Sequence, residues 1–243
     1  MELLELLQTG SIGKVYKGTY KKEPDEVVAI KKIPNDKLKD ESEHLKILQG
    51  CSGIIKLLGC EERAKYTYII TELCKGGDLI DYVQDHSISM KDIKKIIRWL
   101  LKTIQYCHSN NICHCDIKLD NIGLLFPNDL NNLRLFDFSH SVSIYDDIYY
   151  NNEDLIGTVD FCAPELLKTS FTKGNRLRAV DVASIGVLVY SLIEEKYPMD
   201  LGNENLEFTT DDVAARDFMS RLLDPNPESR ITIDKALTHI FLK

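Results

Sequence analysis

The chain has no apolar run approaching the roughly 18 residues that a membrane helix needs, and Met1-Glu2-Leu3-Leu4-Glu5 lacks the basic start and apolar stretch of a leader. Neither bilayer insertion nor export is expected. Excess positive charge is missing too. With 38 acidic against 30 basic residues the net charge is -8, which argues against a broad nucleic-acid or membrane-surface footprint. Nor is there a disulfide framework. The seven cysteines are an odd number without regular spacing, as expected for reduced thiols of an intracellular protein, cytoplasmic or nuclear. No second C-x-x-C or H-x-x-H pair completes a metal site around Cys113-His114-Cys115-Asp116, and alternate residues of one short run rarely converge on one ion. Internal repeats, low-complexity tracts and long linkers are also absent, so residues 1–243 read as one module.

What is present suits a large domain, or two lobes around a cleft: 44% of the residues are hydrophobic and 28% charged. The first part reads as strands. Val15 to Tyr20 and Glu26 to Ile33 flank a turn-like Lys21-Lys22-Glu23-Pro24-Asp25, and Tyr66 to Thr71 is a further β-branched and aromatic run. Beyond Gly76-Gly77 the period changes. Ile93, Ile96, Ile97, Leu100, Leu101, Ile104 and Cys107 recur at helical spacing after a start signal at Ser89 to Asp92. Val180 to Ile193 is apolar on almost every face, as a helix buried at the centre of a helical lobe would be.

Two local patterns point to phosphate chemistry. Gln8-Thr9-Gly10-Ser11-Ile12-Gly13-Lys14-Val15 joins two predicted strands through a turn whose glycines let backbone N–H groups approach phosphates. Alone it is equally an ordinary hairpin. Val28-Ala29-Ile30-Lys31 then sets one lysine among apolar strand residues, where a cation needs an anionic partner such as a phosphate or a carboxylate.

Farther along come His114-Cys115-Asp116 with Lys118 and Asn121, then Asp137-Phe138-Ser139, then Ala163-Pro164-Glu165. Taken in order, these segments resemble the eukaryotic protein kinase family, serine/threonine type, over essentially the whole chain. The resemblance implies an α+β, bilobal fold. Residues 1–73 would form a small antiparallel β-sheet lobe with one helix (helix C), and 74–243 a larger, mainly helical lobe. It further implies ATP and Mg2+, with Asp116 as the base for a substrate hydroxyl, Lys118 steadying the γ-phosphate, and Asn121 and Asp137 as metal ligands.

Lys31 would hold the α- and β-phosphates and pair with a helix C glutamate. Glu41 suits that role because Leu45 and Leu48 fall four and seven residues on, on its own face, with Glu43 as the alternative. Only ten positions separate Lys31 from Glu41, so helix C or the loop before it must be trimmed. Thr71 resembles the gatekeeper, a small side chain that leaves a rear pocket open. Glu72-Leu73-Cys74 resembles the adenine-reading hinge, and Ala29 and Val15 belong to the same cleft. Asp78 is either the carboxylate that meets the ribose or a basic substrate residue, or a helix N-cap. Thr158 resembles a substrate-platform residue bonded to Asp116 and Lys118. Asp120, with Asp78, suggests a preference for basic residues upstream of the target. Glu165 and Arg230 resemble a structural ion pair, Asp181 the central-helix support of the catalytic loop, and His114 and Phe138 packing residues stacked with Leu45 and Leu57.

Several positions depart from the family pattern. Gln8 stands where the first loop glycine usually sits. Cys115 replaces the usual arginine, the cation that would receive a phosphorylated activation segment, and the segment from Asp137 to Glu165 has no Lys or Arg. Activity that is constitutive, or controlled by a protein partner, is therefore expected. Ser139 replaces a glycine, which restricts the preceding pair. Gly123 falls where a bulky residue normally supports adenine, with Leu124 as a compensating neighbour. The short stretch from Pro198 to Asp212 sets the chain apart from cyclin-dependent and MAP kinases and favours a calcium/calmodulin-kinase-like group. Lys31, Asp116, Asn121 and Asp137 together support an active serine/threonine kinase acting on proteins. A pseudokinase serving as a nucleotide-binding scaffold or regulator is the second reading.

Overall fold

The computed structural model of the protein describes residues 1–243 apart from 11, 38–39, 146–147, 150–162, 169–170, 173–174 and 199–205. Strands β1 (Glu2–Thr9), β2 (Lys14–Tyr20), β3 (Glu23–Pro34), β4 (Leu57–Glu62) and β5 (Tyr66–Glu72) form one antiparallel sheet in the order β1-β2-β3-β5-β4. Because side chains alternate along a strand, Val28 and Ile30 of β3 pack on one face with Tyr20, Tyr68 and Ile70. Ala29 and Lys31 point to the opposite face, toward a cleft. β3 begins at Glu23, three residues ahead of the predicted Glu26. Pairing continues through Thr19 with Val27 and Tyr20 with Glu23, so Pro24, Asp25 and Glu26 form a bulge in a strand, where a proline is tolerated.

Helix α1 (Glu41–Leu48) is the only helix between β3 and β4 among the described residues, apart from a single 3-10 turn at Asn35–Lys37. At eight residues it is short, and Glu41 opens it. Glu41, His44, Leu45 and Leu48 are buried on one face, the i, i+3, i+4, i+7 stripe that seats a helix against a core.

The rest is mainly helical. It comprises α2 (Leu79–Asp85), α3 (Met90–Ser109), α4 (Pro164–Lys168), α5 (Asn175–Glu194), α6 (Val213–Leu222) and α7 (Ile233–Leu237). Ser89 caps α3 by accepting the Asp92 N–H at 3.2 Å, while its hydroxyl donates to the Asp92 carboxylate at 2.6 Å. α5 starts five residues before the apolar run at Val180, because Asn175, Arg176 and Arg178 supply a polar first turn that hydrophobicity does not mark. Its buried Val182, Ile185, Val187, Leu188 and Val189 make it the centre of this half.

Three short strand pairs interrupt the helices among the described residues, Ile148–Tyr149 with Phe171–Thr172 and two that position the site. β6 (Ile112–Cys113) pairs with β9 (Val142–Ser143), and β7 (Ile122–Leu124) pairs with β8 (Leu133–Leu135). They pin both ends of the loop 114–121 and carry Asp137 just beyond β8. The Phe136 N–H donates to the Asn121 carbonyl at 3.0 Å, tying the two stretches together. Among the described residues no helix is long and apolar enough to cross a membrane.

Candidate active site

Lys31 sits on β3 between Val15 of β2 and Ile69 of β5, so its side chain is held by a strand paired on both edges. Its Nζ donates to both Glu41 oxygens at 2.8 Å and to Asp137 Oδ1 at 2.7 Å. Glu43 instead lies on the exposed side of α1, bonded to Lys46 at 2.6 Å. Burial pushes the Asp137 carboxyl up, but the Lys31 charge and hydrogen bond outweigh it and hold the group well below the usual carboxylate range. Burial opposes the charge on Lys31, yet Glu41 and Asp137 together raise its pKa above the ordinary lysine value. Burial pushes the Glu41 carboxyl up against the pull of Lys31, and the Asp137 charge adds to the rise.

The loop 114–121 gathers the next polar groups. Asn121 Nδ2 donates to Asp116 Oδ2 at 2.9 Å and to the Asp116 carbonyl at 2.7 Å, and Lys118 Nζ lies 3.2 Å from Asp116 Oδ2. Both Nδ2 contacts of Asn121 go to Asp116, which leaves its amide oxygen for a cation. Asp137 is similar. Its Oδ1 accepts from Lys31 and, at 3.3 Å, from the Ser139 N–H, so Oδ2 is the oxygen left over. Two hard oxygen donors beside a lysine form the donor set that magnesium and a polyphosphate require.

Asp181, fully buried on α5, holds this loop from below. Its oxygens accept from the His114 N–H at 3.0 Å and the Cys115 N–H at 2.8 Å, and Oδ2 also lies 2.7 Å from His108 Nε2. Cys115 needs the help, since it adopts φ 62°, a left-handed conformation costly for a residue with a Cβ. Cys113, His108 and Asp181 converge within 4.8 Å, a different trio from the Cys113-His114-Cys115 run. With both Asp181 oxygens already engaged, it reads as a structural hydrogen-bond hub. His114 meets Phe138 edge-on at 4.6 Å, and Phe138 and Leu45 are buried in one cluster with Leu57 against it.

The cleft has a volume of about 540 Å³ and is lined by Gln8, Val15, Ala29, Lys31, Glu41, Thr71, Glu72, Cys74, Asp78 and Asp137. Leu45 and Ile69 line it beside Thr71. In the Gly-rich turn the Gly10 N–H donates to the Gly13 carbonyl at 2.9 Å. A Cβ on Gly13 would lie 2.6 Å from the Lys32 carbonyl oxygen, so the close approach of turn to β3 excludes any side chain there. Ile12 packs against the main core. Glu72 anchors the hinge, accepting from Arg134 Nε at 2.8 Å and from the Lys56 N–H at 2.9 Å. Asp78 caps α2 through the Asp81 N–H at 3.0 Å and also borders the cleft. Burial, with the nearby charges of Asp81 and Asp120, raises its pKa.

Sequence reasoning missed Phe136. Leu124 is buried in the core and does not line the cleft; Phe136, directly before Asp137, does. A Cβ on Gly123 would lie 2.5 Å from Cys74 Sγ and 3.0 Å from Phe136 Cε1, so those two side chains already occupy the space beneath the cleft. The bulky residue before Asp137 was the available signal. Gly123→Leu is accordingly expected to destabilise the fold by about 1–3 kcal/mol through overpacking, measured by urea unfolding, with Cys74→Ala in the same chain recovering part of the loss.

Glu165 and Arg230 form a buried bidentate pair, Nη1 to Oε1 at 2.6 Å and Nη2 to Oε2 at 2.8 Å. Ser139 is absent from the positive-φ residues, so it adopts a backbone conformation that needs no glycine. Ser11 and Thr158 lie outside the described residues.

The family model for the protein kinase domain matches residues 1–242. Among curated proteins, the chain is 31% identical over 259 residues to calcium/calmodulin-dependent protein kinase type 1 of Macrobrachium nipponense, covering 98% of this chain and 73% of that protein. It is 30% identical over 242 residues to CDPK-related kinase 5 of Arabidopsis thaliana, covering 89% and 39%. The chain thus spans about two-fifths of the length of that plant relative. Among solved structures, the crystal structure of Rad53 1-466 in complex with AMP-PNP matches with a TM-score of 0.80 and 26% identity, over 98% of this chain and 64% of that one.

Proposed function

Because the chain belongs to the protein kinase family, we propose that it is an active serine/threonine kinase, transferring the γ-phosphoryl group of ATP to hydroxyls of protein substrates. The observation that carries this is Lys31 bonded to both Glu41 and Asp137, beside a cleft of nucleotide size. Lys31 would offer its charge to the α- and β-phosphates, with Glu41 fixing its position. The turn at Gly10 and Gly13 would let backbone approach them, and the hinge at Glu72-Leu73-Cys74 would read adenine, over a floor made by Phe136 and Cys74.

Asn121 and Asp137 fit magnesium through the oxygens their other contacts leave over, and the bound cation would neutralise phosphate charge. Asp116 accepts the proton of the attacking hydroxyl, while Asn121 and Lys118 orient its Oδ2. Lys118 also stands where it would steady the transferred group, and its presence in the loop favours serine and threonine acceptors. Asp78, Asp81 and Asp120 concentrate negative charge beside the cleft, which favours substrates with basic residues upstream of the target. Of the four departures that suggest a scaffold pseudokinase, Gln8, Cys115, Gly123 and Ser139, two are accommodated: Gly123 by Cys74 and Phe136, and Ser139 by its ordinary backbone.

Incubation with magnesium, γ-labelled ATP and a library of protein-derived peptides tests this. Label on phosphoserine and phosphothreonine, enriched in peptides with upstream Lys or Arg, is the expected result. Label on tyrosine alone would contradict the acceptor class, and a library without basic enrichment would remove the acidic subsite.

A further inference from the structure

Beside the Lys31 network, α1 touches the stretch after Asp137 at a second point. The Phe138 backbone N–H lies near enough to the buried Glu41 carboxylate to favour its charged form. One helical turn on, His44 is buried, with Nδ1 2.8 Å from Ser141 Oγ. Ser141 closes a tight turn onto Phe138: its N–H donates to the Phe138 carbonyl at 3.0 Å and its hydroxyl to the same oxygen at 2.5 Å. With the hydroxyl proton committed there, Ser141 Oγ can only accept from His44, so the hydrogen-bond network assigns the proton to Nδ1.

This polar pair is set within apolar packing. Leu45 and Leu48 on the same helix, and Phe138 on the same turn, are all buried in the core. Losing Ser141 would take this acceptor away from the buried His44 Nδ1–H, while Ser141 keeps its own bond to the Phe138 carbonyl. Two residues 97 positions apart thereby fix α1, and with it Glu41 and Lys31, to the turn that presents Asp137.

Directly before Asp116 stands Cys115, not an arginine that could receive a phosphate. Cys115 lies instead in an apolar cluster with Ala163, Leu166, Leu177, Val180 and Ala183. We propose that the His44–Ser141 hydrogen bond is a built-in positioning tether, which keeps α1 docked and Asp137 presented without phosphorylation of the intervening segment. His44 and Ser141 are positioning residues, not catalytic ones. The expected effect on phosphotransfer rests on the function proposed above; the expected effect on local order does not.

A double-mutant cycle tests it with the full chain, using His44→Leu, Ser141→Ala and the pair. The readouts are hydrogen exchange over residues 41–48 and 137–145, binding of a fluorescent ATP analogue, and thermal unfolding. Each single variant is expected to speed local exchange and weaken analogue binding by about two- to tenfold, the size of one lost hydrogen bond. The double variant should be no worse than either single. His44→Asn, which can place a donor near Nδ1, should recover part of the loss where His44→Leu does not. Phosphatase treatment of wild type should change neither exchange nor binding.

Additive effects in the cycle, singles that leave exchange in these segments unchanged, or phosphatase treatment that loosens wild type, would each overturn the tether. If wild type binds no nucleotide at all, the functional reading fails, while the exchange cycle still decides the tether.

Discussion

Asp116→Asn is expected to lower phosphotransfer by about 10²–10⁴-fold, the range for removing a positioned general base, while fold and nucleotide binding persist. The substitution is nearly isosteric. Lys118 and Asn121 both contact Asp116 Oδ2, and Asp116 is 5% exposed, so an amide can occupy the same place without opening a cavity. What it cannot do is take the hydroxyl proton. The check is the initial rate with labelled ATP, beside circular dichroism and a fluorescent-nucleotide titration on the same preparation. Loss of rate with intact binding is expected. A loss smaller than about tenfold would mean that the proton leaves by another route.

The largest expected effect on stability lies far from the cleft. Arg230→Leu removes one partner of the buried pair with Glu165 and leaves a carboxylate inside the protein, with an expected cost of about 3–5 kcal/mol. Arg230 also donates to the Ala179 carbonyl at 2.6 Å and to the Asp224 carbonyl at 2.9 Å, so one side chain ties the start of α4, the body of α5 and the loop after α6 together. Urea unfolding of the variant measures the loss. Glu165→Leu combined with Arg230→Leu should cost less than the sum of the single variants, because no unpaired charge stays buried. A single-variant loss under about 1 kcal/mol would show that water reaches the stranded carboxylate.

Much of the cleft was legible because its parts are short and local. Alternation along β3 put Ala29 and Lys31 on one face, and the Leu45 and Leu48 spacing picked the face of α1 on which Glu41 lies, leaving Glu43 to solvent. The N-cap at Ser89 and the apolar recurrence after it marked α3 for the same reason. What escaped depends on packing between distant residues. Gly123 looked like a gap under the cleft because nothing near it in sequence shows that Cys74 and Phe136 close in from two other segments. The His44–Ser141 bond joins positions 97 apart, and neither residue type signals the other. Pro24 misled in the opposite direction: its turn propensity is real, but pairing of Tyr20 with Glu23 absorbed it into a bulge. Asp78 carried two meanings in sequence, and in the fold it both caps α2 and borders the cleft.

The central claim is that Asp137 and Asn121 serve a magnesium-dependent transfer from the Lys31 cleft. The most direct measurement is the rate of label transfer from γ-labelled ATP to a serine- or threonine-containing peptide by wild type in magnesium, by wild type in EDTA, and by Asp137→Asn. Transfer by wild type in magnesium, falling to background in the other two, is the predicted result. A wild-type protein that binds the nucleotide yet transfers nothing, or transfer that survives both EDTA and loss of the Asp137 charge, would contradict it.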